Sequence, residues 1–184
     1  MSIVIAGERS GSGKTTVTLA LLAALTARGE RVQSFKVGPD YIDPMFHAHV
    51  TRRPCYNLDP VLTSLEYLRP CLARHTQNVD VAVVEGVMGL FDGAVDPPGA
   101  GSTAEVARQL QLPILLVVNC QSMSHSIAAL VKGFTSLDPN LPIAGVVLNK
   151  VGSDRHLEIL TTALKPIHTP IRGEIRPELG YGWA

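Results

Sequence analysis

Residues 3–18 read IVIAGERSGSGKTTVT, an apolar run, a glycine-rich turn and the start of an apolar helix, and no other stretch restricts the fold as much. Strand, turn and helix in that order aim backbone N–H groups and the positive end of a helix into one concavity, which suits a chain of phosphates. Gly11, Ser12, Gly13, Lys14, Thr15 and Thr16 are the candidate cradle. Lys14 supplies a mobile positive charge, Thr15 a hydroxyl for a Mg2+ ion, and the helix beyond Thr16 a rigid stem. The common pattern G-x-x-x-x-G-K-[ST] would place its first glycine at position 8, where this chain has Glu8, with Gly7 one residue earlier. A glycine-rich turn that merely precedes a lysine is the plainer reading, and the register of strand, loop and helix argues against it.

The rest of the chain alternates in the same way. Residues 2–6 form a continuous apolar run, as in a strand buried on both faces of a parallel sheet, and similar runs at 31–36, 79–84, 114–118 and 143–148 predict further strands. Helices are expected at 15–28, at 64–75 with doubt at Pro70, from the capping box Ser102-Thr-Ala-Glu105 to 111, at 124–136, and at 154–165 with a stop before Pro166. The first helix is apolar nearly all round. Its Leu19, Leu21, Leu22 and Leu25 predict burial against the sheet and in part against something else, a second subunit being one candidate. Between the second strand and the helix at 64, residues 37–62 read as a long irregular segment, a candidate substrate loop, in which Asp43-Pro44 and Asp59-Pro60 each resemble a helix start. Strand–helix alternation predicts an α/β fold, doubly wound, with a mainly parallel sheet and helices on both faces. The loops after residues 6, 36, 84 and 118 then share the carboxyl edge of the sheet, where ligands gather.

Composition sets outer limits. With 184 residues, 46% of them hydrophobic, the chain has the material for one domain with a sizeable core. Sixteen basic residues balance sixteen acidic ones, so no net field draws it to nucleic acid or to an anionic membrane. The longest apolar stretch, 17–27, is too short to span a bilayer, and Met1 leads straight into a strand, which predicts no secretory leader. Cys55, Cys71 and Cys120 form neither an even disulfide framework nor a C-x-x-C pair, so a cytoplasmic location is expected.

Several side chains can carry chemistry at that edge. Glu85 ends an apolar strand, where a phosphate-binding domain holds an acid that orients Mg2+ or its water; a surface glutamate is the alternative. In the stretch that follows the second strand, Lys36 is assigned to the transferring phosphate and Asp40 to a second metal or phosphate contact. Asp43 reads more as a helix cap than as a ligand, because Pro44 follows it. Tyr41 is either packing or a substrate contact, and His47 and His49, without nearby cysteines, do not suggest zinc. Asp92 is either an ordinary Asp-Gly turn residue or a catalytic acid. Asn149, at a strand end, either reads a purine base with its donor and acceptor or closes a turn.

The segments GERSGSGKTT, FKVGPDYIDPMFH, NLDP at 57–60, VVEGVMGLFDG at 83–93 and VVLNKVGSDRH at 146–156 together resemble the ATP-binding domain of the cobyrinic acid a,c-diamide synthase family. The resemblance covers about residues 2–165. The phosphate loop is shared with dethiobiotin synthetase, whose fold type is implied, and with partitioning-type ATPases; KVGPDYIDP and EGVMGLFDG separate the family from both. It implies an ATP- and Mg2+-dependent carbon–nitrogen ligase of cobalamin biosynthesis, which activates the a and c acetate carboxylates of cobyrinic or hydrogenobyrinic acid as acyl phosphates and amidates them with ammonia. On that resemblance Asp40, Glu85 and Asp92 are the carboxylates of the phosphorylation site, and Tyr41 and Ile42 lie against the corrin. A homodimer is expected.

Full-length members continue into a glutaminase domain with a cysteine nucleophile. No cysteine of this chain stands in a G-x-C-x-G context, and residues 173–184 do not resemble the family. The chain is then a fragment, or it takes free ammonia or ammonia made from glutamine by a separate subunit. Two alternatives stay open: a partitioning-type switch ATPase, with Arg9 in place of its second loop lysine, and the same ligase acting on nickel-sirohydrochlorin or another tetrapyrrole.

Overall fold

The computed structural model of the chain describes residues 1–177. Seven parallel strands, β1 (Ser2–Gly7), β2 (Val32–Val37), β3 (Tyr56–Leu58), β4 (Val81–Glu85), β5 (Ile114–Asn119), β6 (Ile143–Asn149) and β7 (Ile171–Ile175), form one sheet in the order β3-β2-β4-β1-β5-β6-β7. Six helices connect them: α1 (Lys14–Ala27), α2 (Asp43–Thr51), α3 (Leu65–His75), α4 (Thr103–Leu110), α5 (Ser126–Leu137) and α6 (Asp154–Leu164). Strand β1 lies in the middle, paired with β4 and β5, so the loop that leaves Gly7 opens at the centre of the carboxyl edge.

Alternation along β1 divides the core in two. Ile3 and Ile5 pack with Val17 and Leu22 of α1 and with Val50 of α2, whereas Val4 and Ala6 face Leu68, Val106, Ile127 and Leu160 of the other four helices. Both faces of the sheet are therefore covered, as parallel strands require. Full burial of a side chain such as Leu22 or Leu160 stabilises the fold by about 1.5–3 kcal/mol. The all-round apolar character of α1 comes from Ala20, Ala23, Ala24 and Ala27, which are exposed; Leu21 and Leu25 pack on the sheet within the same chain.

Three expectations need correction. Residues 37–62 are irregular only in part: a helix does start at Asp43-Pro44, as expected, and runs on as α2, and the short edge strand β3 follows. The Asp40 carboxylate accepts hydrogen bonds from the N–H groups of Ile42 (2.8 Å) and Asp43 (3.1 Å), which starts α2. No helix begins at Asp59-Pro60. Asp59 accepts from Val61 and Leu62, but a single turn closes before Ser64 caps α3 with its hydroxyl. Helix α3 runs through Pro70, because Leu68 and Cys71 are buried on its inner side while Pro70 and Glu66, whose carbonyl loses a donor, lie on the outer side. Helix α6 ends at Leu164, before Pro166 as expected; a 3-10 turn, Lys165–Ile167, follows, and the chain then adds β7 beside β6. The pattern IRGEI has too little apolar character to announce a strand, and an edge position tolerates it. None of the described helices is long and apolar enough to cross a membrane.

Candidate active site

The phosphate loop is built against the end of β1. A Cβ on Gly7 would overlap Ser12 Oγ and press on Lys14 Cγ at 3.0 Å, so any larger residue there would have to push these two loop side chains aside. That explains the displaced glycine. Glu8, at the usual glycine position, turns its carboxylate away to accept the Asn119 N–H at 3.2 Å. Gly11 and Gly13 adopt left-handed backbone, with φ of 73° and 97°, and α1 begins at Lys14 with no side-chain cap on its N-terminal N–H groups. Lys14 Nζ lies on the carbonyl oxygens of Met88 (2.5 Å) and Arg9 (3.3 Å). Burial, then the nearby Lys36 charge, lowers its pKa. Ser12 Oγ is buried with no hydrogen-bond partner among the described residues. Open helix N–H groups, an orphaned hydroxyl and a glycine-lined concavity are what a phosphate chain would satisfy.

Asn149 stands behind the loop. Its Nδ2 donates to Ser12 O at 2.9 Å and its Oδ1 accepts the Lys150 N–H at 2.9 Å, so the amide is committed to the loop and to its own turn rather than open to a purine. Strand β5 lies between β6 and β1, and the side chain reaches across its end.

Opposite the loop, β2 and β4 bring Lys36 and Glu85 together at paired register positions. Glu85 is fully buried. Its Oε1 accepts from Thr15 Oγ1 (2.6 Å) and Lys36 Nζ (3.2 Å), and its Oε2 is 2.7 Å from His47 Nε2. Burial opposes ionisation of Glu85, but the hydrogen bond from His47, the Lys36 charge and the Thr15 hydroxyl together outweigh it and hold the carboxyl at about 2. Lys36 Nζ also meets Asp43 Oδ2 (3.1 Å), Gly86 O (2.8 Å) and, at 3.9 Å, Asp40. The two neighbouring aspartates thus exchange the roles read from the sequence. Asp40 starts α2, while Asp43, inside its first turn, faces the site and lies 3.3 Å from Thr15 Oγ1. Burial and the Glu85 charge raise the Asp43 pKa against the pull of Lys36.

Lys14, Thr15, Lys36, Asp40, Asp43 and Glu85 line one cleft of about 330 Å³ together with Gly11, Gly13 and Thr16. Two ammonium groups there, Lys14 and Lys36, face three carboxylates, Asp40, Asp43 and Glu85, so the site is net negative before a nucleotide adds its own charge, an excess that a divalent cation would balance. Among the described residues no three His, Cys, Asp or Glu side chains form a ready metal cage. Mg2+ does not need one, since one or two carboxylates, a hydroxyl and phosphate oxygens suffice. Thr15, Glu85 and Asp43, with Asp40 behind them, fit that donor set.

Tyr41 and Ile42, both largely exposed, line a neighbouring hollow of about 380 Å³ that shares Asp40 and Val87 with the cleft. Asp92 is exposed, does not line the cleft, and accepts the Gly89 N–H at 2.9 Å, a turn role. The sequence reading missed His47. It is fully buried on the inner side of α2, and a histidine one helical turn after a site-facing aspartate, Asp43, was the available signal.

A parallel sheet with a phosphate loop at its central strand, and an acid with a threonine hydroxyl beside it, defines a nucleoside-triphosphate-binding α/β domain of the P-loop type. Residues 3–179 match the family described as the CobQ/CobB/MinD/ParA nucleotide binding domain, and the chain belongs to that family. It is 60% identical over 176 residues to cobyrinate a,c-diamide synthase of a Synechococcus strain, covering 96% of this chain and 39% of that protein. It is 52% identical over 174 residues to hydrogenobyrinate a,c-diamide synthase of Streptomyces coelicolor, covering 95% and 36%. The chain therefore spans under two fifths of the length of these relatives. In fold it is similar to the cell division protein FtsY of Thermotoga maritima, with a TM-score of 0.68 at 15% identity over 97% of this chain and 62% of that one. The family match corrects one expectation: residues 173–179 do not depart from the family. Residues 180–184, the remainder of that expectation, lie outside the match and outside the described residues.

Proposed function

We propose that this chain is the ATP-binding amidoligase part of an enzyme that amidates the a and c acetate carboxylates of cobyrinic or hydrogenobyrinic acid. The observation that carries the reading is the shared wall between the phosphate cleft and the Tyr41–Ile42 hollow. There a carboxylate on a large, partly apolar ring can meet the end of a triphosphate. The names of the relatives supply the ring's identity.

The chemistry needs activation because a carboxylate would have to expel oxide to accept ammonia. One carboxylate oxygen instead attacks the γ-phosphorus of ATP, ADP leaves, and ammonia then displaces inorganic phosphate from the acyl phosphate to leave the amide. Lys14, the loop N–H groups and Lys36 stabilise charge that builds on the phosphate oxygens. Mg2+ would supply further neutralisation there, held by Thr15, Glu85 and the Asp40–Asp43 pair. Tyr41 and Ile42 hold the macrocycle so that only certain carboxylates reach the phosphate. The ammonia comes from solution or from a glutaminase, and the protein works in the cytoplasm as a homodimer.

Incubation of the chain with ATP, Mg2+, ammonium and cobyrinic acid should give a product lighter by the difference between a hydroxyl and an amino group at each amidated carboxylate, with one ADP formed for each. Lys14→Ala should abolish that product while leaving the far-ultraviolet circular dichroism unchanged. ATP hydrolysis that ignores the tetrapyrrole and changes no mass would refute the ligase reading.

A further inference from the structure

Each oxygen of Glu85 has separate partners. Oε1 faces the cleft, where Thr15 Oγ1 and Lys36 Nζ donate to it; Oε2 points away from them and is 2.7 Å from Nε2 of His47. His47 and Glu85 are both fully buried, so neither solvent nor a mobile surface group can replace this contact. A carboxylate oxygen only accepts, so Nε2 carries the hydrogen. The other ring nitrogen, Nδ1, is 3.4 Å from Cys55 Sγ. Burial pushes the Cys55 thiol up to about 11, so it keeps its S–H, and donation of that S–H to Nδ1 is the arrangement compatible with a hydrogen on Nε2. His47 itself is fixed by helix α2, whose first turn carries Asp43 into the same cleft.

We propose that His47 is a positioning residue: by holding Oε2 of Glu85 from behind, with Cys55 setting the ring's tautomer, it keeps Oε1 turned toward Thr15 and the Mg2+ position. Without that bond Oε2 would be a buried carboxylate oxygen with no donor, and the side chain would rotate toward Lys36 or toward any donor it could reach. An outer partner of this kind typically changes metal affinity by about 10- to 100-fold when it is removed. This rests on the reading of the cleft as a Mg2+–ATP site.

The test separates the two. ATP affinity is titrated without Mg2+ and then across Mg2+ concentrations for wild type, His47→Leu and His47→Gln, with thermal unfolding as the control for folding. In His47→Leu the metal-free affinity should stay near wild type, because the phosphate loop is untouched, while the Mg2+ concentration for half-maximal tightening rises about tenfold or more. His47→Gln, whose amide can donate from a similar place, should recover most of that loss; a purely space-filling histidine would give no such rescue. Wild-type Mg2+ dependence in a folded His47→Leu chain, or a glutamine variant no better than the leucine one, overturns the proposal. A second measurement needs neither nucleotide nor the leucine variant to fold. In the ligand-free wild type the nitrogen resonances of the His47 ring should report hydrogen on Nε2, and Glu85→Gln should shift them. A ring protonated at Nδ1 alone, or one blind to that substitution, would overturn the inference even if the wild-type chain bound no Mg2+–ATP, a result that would separately refute the nucleotide reading.

Discussion

Glu85 makes a measurable demand on stability. Its carboxyl is held at about 2 against an ordinary value of 4.5, and it is fully buried. That lowering corresponds to about 3 kcal/mol of folding free energy, at about 1.4 kcal/mol for each tenfold in proton affinity. Because the folded value is depressed, the contribution is complete above pH 4.5 and is lost as pH falls toward 2. Urea unfolding of the ligand-free chain, wild type against Glu85→Gln, from about pH 7 to about pH 2 reads it directly as the difference between the two curves. Wild type should be the more stable near neutrality, since a neutral amide leaves Lys36 and the three-donor arrangement poorly matched. The gap should close by up to about 3 kcal/mol as the pH falls. Relief of Asp43, whose pKa is raised in part by Glu85, acts in the opposite sense at neutral pH and reduces the gap. A difference that does not change with pH would refute the account of Glu85 as an ionised acid held by His47, Lys36 and Thr15.

Other substitutions probe separate parts of the site. Gly7→Ala should destabilise the chain by about 1–3 kcal/mol and weaken ATP binding, because its methyl group must displace Ser12 or Lys14. Adding Ser12→Ala, which removes a hydroxyl with no hydrogen-bond partner among the described residues, should restore part of the stability, and calorimetric scans that show no change for either variant would contradict the overlap. Asp40→Ala should cost about 1 kcal/mol by freeing the N–H groups of Ile42 and Asp43, whereas Asp40→Asn keeps an accepting oxygen and should cost far less; equal losses on urea unfolding would refute the helix-starting role. Asp43→Asn should instead spare stability more than turnover, read as amide product per unit time, because it removes a carboxylate 3.1 Å from Lys36; unimpaired amide formation would remove Asp43 from the site.

What could be read in the sequence was local. Glycines, a lysine and threonines in one continuous stretch announce the phosphate loop, because the backbone geometry they permit is set within ten residues. Strand and helix alternation announces the parallel sheet for the same reason. What could not be read depends on which side of a helix meets which strand end. Asp40 and Asp43 offer the same functional group three residues apart, and only the place where α2 starts decides which faces Lys36. The acid that His47 holds has no sequence proximity to it, since Glu85 reaches the ring from strand β4, 38 residues on. Asn149 lies 137 residues from the carbonyl it holds, so its commitment to Ser12 is invisible to pattern. Strand β7 was missed because an edge strand with arginine and glutamate in it has no apolar alternation to betray it.

The Asn149 amide has a further consequence for how ligand affinity arises. A carbonyl turned into a phosphate site would repel its occupant, and Asn149 draws the Ser12 carbonyl out of that position from across the end of β5. The loop is thereby ordered during folding, together with two strands that are not neighbours, and not at the moment of encounter. Capture of a polyphosphate then requires little loss of backbone freedom, and the favourable electrostatics of the loop are expressed as affinity rather than consumed in shaping it.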